Sequence, residues 1–230
     1  MIKLGYDEKA KEIFVKPSHL IVSGVSQLSG KTTCLEAMIK RSGLKAIVLK
    51  TKIGERGFSE GTIIPPFFKE KFDWEYLADI LEATMKERLK FERSWIIDTA
   101  KNSKSLLEAK IYIDKQLASE KLGSLNRSVF TNLQAYLEKI LPQLQYSNLS
   151  NRLEPQEGVN IMDLERYSEE VQSLIIRSVM DEVLNHHTGI IIVCPEAWKF
   201  IPQKIGNPCK RPAEAFIRQG ATNKNYLWLD

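Results

Sequence analysis

No apolar run in this chain approaches the ~20 residues a membrane-spanning helix needs, so no span is expected. The stretch Met1-Ile2-Lys3-Leu4-Gly5-Tyr6-Asp7 lacks the apolar core of a secretory signal. A cytoplasmic location is therefore the expectation. Cysteine is scarce: Cys34, Cys194 and Cys209 are odd in number, and no two are spaced as a metal clip. That disfavours a disulfide framework or a zinc ribbon and reads as reduced, mostly buried thiols. Histidine is equally rare, with only His19, His186 and His187. The His186-His187 pair suits a helix end, where a cation complements the dipole, better than it suits a metal site. A net charge of +4 permits nucleic-acid contact but does not argue for it. What remains is an ordinary globular composition, 43% hydrophobic and 27% charged over 230 residues. It can bury one good core, as one domain with room for an inserted subdomain. There is no internal repeat and no low-complexity segment.

The strongest positive signal is Gly24-Val25-Ser26-Gln27-Leu28-Ser29-Gly30-Lys31-Thr32, which fits the phosphate-loop pattern G-x-x-x-x-G-K-[ST]. Its context fits as well. His19-Leu20-Ile21-Val22-Ser23 before it reads as a short buried strand, and Thr33 to Lys40 after it has helical character. Gly43 is placed to end that helix. Between a strand and a helix, consecutive backbone N–H groups can wrap a phosphate, and the helix amino end adds positive potential. Gly24 and Gly30 allow conformations and close approaches that a Cβ would block. On this reading Gly24, Ser26, Gln27, Leu28, Ser29, Gly30, Lys31, Thr32 and Thr33 bind the nucleotide. Lys31 reaches the β- and γ-phosphates, and the Thr32 hydroxyl holds Mg²⁺. A glycine-rich turn without a ligand is the alternative.

Along the rest of the chain, residues 1–17 are polar, with Ile13-Phe14-Val15 as a short apolar run for an extra strand or strap. Ala46-Ile47-Val48-Leu49 reads as a second buried strand, so the P-loop helix becomes the crossover of a right-handed βαβ unit in a parallel sheet. Residues 50–72 read as loop. From 73 to 147 glycine nearly vanishes and helical periodicity takes over. Asp73 can cap a helix through Leu77, Ile80 and Leu81, and Ser105-Leu106-Leu107-Glu108 is a capping box. A third helix runs near Val129 to Leu141 and meets Pro142. Trp74 and Trp95 read as core residues. Strand signals then return at Gly158–Leu164, at Gly189–Cys194 and at Asn225–Asp230. Ser168 starts an amphipathic helix with Val171, Leu174, Ile175, Val179, Val183 and Leu184 on one face. Pro212 can open a last helix that Gly220 closes. The expected architecture is α/β, a three-layer P-loop NTPase core with a parallel sheet (residues 1–72 and 148–230) carrying a helical insertion (73–147). The chain stops at its last strand, which reads as a truncation.

Hydrolysis at a P-loop needs a carboxylate at the tip of a nearby strand to orient the attacking water. The run Gly189-Ile190-Ile191-Ile192-Val193-Cys194, the most hydrophobic in the chain, leads into Pro195-Glu196-Ala197-Trp198-Lys199-Phe200. Glu196 stands where that base belongs. A surface glutamate just after a strand is the alternative.

This segment resembles the Walker B region of the HerA/FtsK superfamily of DNA-translocating ATPases, which includes type IV secretion ATPases. Asn160-Ile161-Met162-Asp163-Leu164 with the helix after Ser168 is similar to the strand and helix that precede that region in the family. Ile217-Arg218-Gln219-Gly220 is similar to its helix leading to the sensor strand. The resemblance covers about residues 18–60 and 150–230. It implies a Mg²⁺-dependent ATPase working as a homo-oligomeric ring, commonly a hexamer, on double-stranded DNA. It also implies an arginine finger from a neighbouring subunit, for which Arg218 is the first candidate by position, with Arg211 and Arg152 behind it. An ordinary surface arginine is the alternative for each. Two departures stand out. Pro195 replaces the aspartate of the usual Asp-Glu pair, so either Thr32, the phosphates and water suffice for Mg²⁺, or Asp163 or Asp230 helps from a neighbouring strand. The family's polar sensor residue follows its last strand, beyond residue 230.

Two other functions fit part of the sequence. A P-loop nucleoside or metabolite kinase would need an Arg-rich lid, and Lys204 to Arg211 is the lid-like stretch. A nucleotide-dependent assembly or switch protein with little hydrolysis is favoured by Pro195.

Overall fold

The computed structural model describes residues 1–24, 29–54, 57–69, 78, 82, 92–144, 148–150, 152–201 and 209–230. Its centre is a six-stranded, all-parallel sheet in the order β3-β10-β9-β4-β8-β5. These strands are β3 (Leu20–Ile21), β4 (Lys45–Lys50), β5 (Thr62–Ile64), β8 (Val159–Asp163), β9 (Ile190–Cys194) and β10 (Tyr226–Leu229). Parallel strands need crossovers, and helices supply them: α1 (Lys31–Ser42) between β3 and β4, α5 (Glu169–His186) between β8 and β9, and α7 (Lys210–Gln219) between β9 and β10.

Both faces of the sheet are covered, which is why β9 is apolar on every residue, and β4 on every one from Ala46 to Leu49, rather than on alternate ones. The period of two still shows in which side each residue serves. Ile47, Leu49, Ile190, Ile192, Cys194 and Leu227 belong to the core on one face, whereas Ala46, Val48, Ile191, Val193 and Trp228 belong to the other. The second face is closed by α1 through Leu35 and Ile39, and by an antiparallel hairpin of β1 (Ile2–Tyr6) and β2 (Glu12–Val15). Ile2 is buried there, and Arg41 Nη1 on α1 donates to the carbonyls of Lys3 and Leu4 at 3.1 and 3.2 Å.

The first face is closed by α5 and by the helical segment, α2 (Arg93–Lys101), α3 (Leu106–Leu117) and α4 (Ser124–Leu144). Ile96, Ile113, Phe130, Leu133 and Leu137 share one continuous core with Leu174, Ile175 and Val179 of α5. Trp95 packs edge-on against Phe130, with ring centroids 5.4 Å apart. The Ser105 hydroxyl accepts from the Glu108 N–H at 3.2 Å as the N-cap, while the Glu108 carboxylate reaches one residue further back and accepts from the Lys104 N–H at 2.7 Å. Asp73, Trp74, Leu77, Ile80, Leu81 and Lys204 lie outside the described residues.

Several expectations need correction. Residues 50–72 are not all loop: β5 adds the sixth strand beside β8, and β6 (Phe67–Lys69) pairs in parallel with β7 (Asn148–Ser150). Each is three residues long and Pro65-Pro66 separates them, so neither has the length or alternation of a strand signal. The amino-terminal strap is a two-stranded hairpin rather than one strand, because Asp7 closes its turn by accepting from the N–H groups of Lys9 and Lys11. α4 runs past Pro142 to Leu144, which the last turn tolerates because only the carbonyl one turn earlier loses its donor. Cys34 is exposed, whereas Cys194 and Cys209 are buried thiols.

Candidate functional site

The site is built where parallel strands end. After β3 the Val22 N–H still donates to the Leu229 carbonyl at 2.8 Å, so the chain leaves the sheet beside the tip of β10. The turn that follows runs from Gly24 to Gly30. Val25, Ser26, Gln27 and Leu28 lie outside the described residues. Its two ends meet closely. A Cβ on Gly24 would stand 3.0 Å from Ser29 Oγ and 3.5 Å from Lys31 Cγ, so packing favours glycine there. Gly30 is favoured by conformation instead, with φ +77° in the left-handed region.

The Gly30 carbonyl then accepts from the Cys34 N–H at 2.8 Å and α1 begins at Lys31. No side chain caps this helix, and its first turn holds no acidic residue. Its leading N–H groups and the positive end of its dipole therefore face the turn without a carboxylate competing for them. Lys31 and Thr32 are half-buried at the helix start, and Thr33 is exposed. The described residues at this helix start, with uncapped N–H groups and half-buried Lys31 and Thr32, have the donor chemistry that a polyphosphate requires.

The second half of the site lies at the end of β9. That strand is wholly buried and delivers Pro195 and Glu196 to the same sheet edge. With β10 between β3 and β9, one strand separates the P-loop strand from the strand carrying Glu196. Three contacts fix Glu196. Its backbone is left-handed (φ +58°), a cost of about 1–2 kcal/mol for a non-glycine residue. Its N–H donates to Asp230 Oδ1 at 2.6 Å. Its Oε2 accepts from Trp198 Nε1 at 2.8 Å, while Oε1 lies 3.7 Å from Lys52 Nζ. Lys52 is held nearby by the strand tip of β4. There Lys50 pairs with Glu165 at 3.1 Å and holds that carboxyl below the usual range, and Glu165 also accepts from the Gly54 N–H at 3.3 Å.

The two aspartates offered as stand-ins for the missing acidic partner separate clearly. Asp163 ends β8, four strands from β3, or about 19 Å at ~4.8 Å per strand. It is engaged locally, with Oδ1 accepting from the Glu165 N–H at 3.0 Å. Asp230 follows β10, the neighbour of β3, and bonds the backbone of Glu196. Periodicity and spacing in the sequence carry no signal for this choice, since it depends on strand order.

The arginines are not gathered at this edge. Arg218 is exposed in the last turn of α7, the turn that leads into β10 at the opposite, amino edge of the sheet. Within one copy of the chain it does not join Lys31 and Glu196. Arg152 lines a cavity of about 490 Å³ with Glu154, Glu182, His186 and His187, also towards the amino edge. Arg211 is exposed in the first turn of α7. Among the described residues no cluster of three or more His, Cys, Asp or Glu could hold a metal, and no helix is long and apolar enough to cross a membrane.

No protein-family model matches the sequence, and no curated protein is similar to it at the sequence level. Solved structures do match. The chain is similar to VirB4 of Thermoanaerobacter pseudethanolicus, with a TM-score of 0.71 across 99% of this chain and 75% of that one, at 12% identity. That likeness is one of fold: the α/β architecture is that of a P-loop NTPase core.

Proposed function

We propose that the chain binds ATP in the Gly24–Thr33 turn and hydrolyses it with Glu196, as a motor-type ATPase of the VirB4/HerA kind. One observation carries the reading: an uncapped, acid-free helix start and a conformationally restrained glutamate share the carboxyl edge of one parallel sheet, one strand apart. The likeness of fold to VirB4 supports it. Backbone N–H groups of the turn and Lys31 bind and orient the phosphates. Glu196 takes a proton from a water as the water oxygen bonds to the γ-phosphorus, and the pair of the breaking bond leaves with ADP. Mg²⁺, when bound through the Thr32 hydroxyl and the Asp230 carboxylate, would neutralise phosphate charge. Asp230 thereby replaces the carboxylate lost to Pro195. Arg218, facing away from its own chain's P-loop, acts only across a junction between copies, which is the ring reading. Double-stranded DNA is the substrate that reading implies, and the helical segment 73–147 is its inserted subdomain.

The test is steady-state ATP hydrolysis with and without duplex DNA, beside sedimentation of the oligomer. Glu196→Gln is expected to lower turnover by about 10²-fold or more while ATP binding is retained. Turnover unchanged by Glu196→Gln would remove the motor reading and leave a nucleotide-binding switch protein. Consumption of ATP only in the presence of a small-molecule acceptor would make it a kinase.

A further inference from the structure

Glu196 has two carboxylate oxygens, and their surroundings differ. Oε2 accepts from the Trp198 indole N–H at 2.8 Å. Oε1 faces Lys52 Nζ at 3.7 Å, within range of an ion pair but beyond a hydrogen bond. Trp198 is an unusual donor. It is 68% exposed, so its ring is not held there by burial. It stands on α6 (Ala197–Phe200), a single turn that begins at Glu196 and is tied to it by Lys199 N–H donating to the Glu196 carbonyl at 2.9 Å. The Lys199 ammonium lies 5.6 Å from the Trp198 ring centroid. Its only polar atom, the indole N–H, is spent on one carboxylate.

Resting on the hydrolytic reading above, we infer that Trp198 is the positioning residue of Glu196: its indole N–H anchors Oε2 so that Oε1 alone is presented to the attacking water. The side chain of a glutamate has three rotatable bonds, and a base must hold one oxygen within about 3 Å of the proton it takes. The left-handed backbone and the Asp230 bond set where the side chain starts. The indole bond sets where it ends. A donor to the carboxylate that does not touch substrate acts on turnover, because it fixes geometry in the transition state, and leaves nucleotide affinity alone.

The experiment compares wild type, Trp198→Phe, Glu196→Ala and Lys31→Ala. Trp198→Phe keeps the ring and removes only the donor, and at an exposed position it leaves the fold intact, which circular dichroism checks. The expected result is a drop in kcat of about tenfold with KM for ATP within twofold of wild type. The second readout needs no turnover. The indole ¹⁵N–¹H resonance of Trp198, identified by its loss in Trp198→Phe, is expected to shift in Glu196→Ala while the other indole resonances stay in place. An indole resonance indifferent to Glu196→Ala overturns the inference, whatever the activity. Full turnover in Trp198→Phe alongside an inactive Glu196→Ala overturns it too, and leaves the hydrolytic reading standing. Wild-type turnover absent, or unaffected by Lys31→Ala, sinks that reading and the inference with it.

Discussion

The two edges of the same sheet are finished in opposite ways. At the amino edge, buried side-chain amides bridge separate elements. Asn225, wholly buried, donates to the carbonyls of Val183 and His187 at 3.0 and 2.8 Å and accepts from the Ile190 N–H at 3.0 Å. Asn160 does the same for Gln156 and Ala46, and Trp228 Nε1 donates to the Ser18 carbonyl at 2.9 Å. At the carboxyl edge, α1 starts without a side-chain cap, Glu196 sits in a left-handed conformation, and carboxylates and lysines stand partly exposed. Buried amides hold the elements in place at one end, so that uncapped donors and a strained residue can persist at the other. Stability and chemistry are thus divided between opposite ends of the same strands.

Substitutions at each edge can break that division. The largest effect belongs to Lys31→Ala, expected to reduce hydrolysis by about 10²–10³-fold, or roughly 3–4 kcal/mol of barrier, with a near-normal unfolding midpoint. Next, Asn225→Ala leaves the Ile190 N–H and the His187 carbonyl without their amide partner, while the Val183 carbonyl keeps the His187 N–H, and is expected to cost about 2–3 kcal/mol in urea denaturation. Turnover per folded molecule should not change; if it falls as well, the two edges are coupled and the division fails.

Finer still are two left-handed glycines at the ends of one helix, Gly30 (φ +77°) and Gly43 (φ +65°), each with open space where a Cβ would go. Alanine at either is expected to cost about 1–2 kcal/mol of stability for the same conformational reason. Only Gly30→Ala should also weaken ATP binding in a titration. Equal effects on affinity would take Gly30 out of the cradle.

The smallest effect is a pH dependence. Burial holds His19 and His187 below the usual imidazole pKa of 6.5, and His19 Nδ1 accepts from the Leu227 N–H at 3.1 Å. A lowered folded pKa means the unfolded chain binds more protons, so stability is full above about pH 6.5 and declines as pH falls below it. Denaturation at pH 7.5 and 5.5 reads the slope, and His19→Asn should reduce it, leaving the share that His187 contributes.

Much of the carboxyl edge was legible in sequence because its signals are local. The start of the helix after Gly30 and the Ser168 cap each involve residues within a turn or two of one another. The β9 run and the glutamate after it are contiguous too. The amino edge was not legible: nothing around Asn225 or Asn160 announces that their amides bridge elements 35 or more residues away, as Asn225 does to Ile190. β5 and β6 were missed because two apolar residues beside a proline pair carry no period.

Taken alone, the sequence singled out one candidate phosphate-binding segment and one candidate glutamate, since glycine conformations, helix starts and buried strands are set by neighbouring residues. Tertiary structure alone decided how those pieces meet. Strand order put β10 between β3 and β9, brought Asp230 rather than Asp163 to Glu196, and turned Arg218 towards the far edge. The physical reason is that pairing between strands is a contest among distant segments for the same backbone donors and acceptors, and no local stretch carries the outcome of that contest.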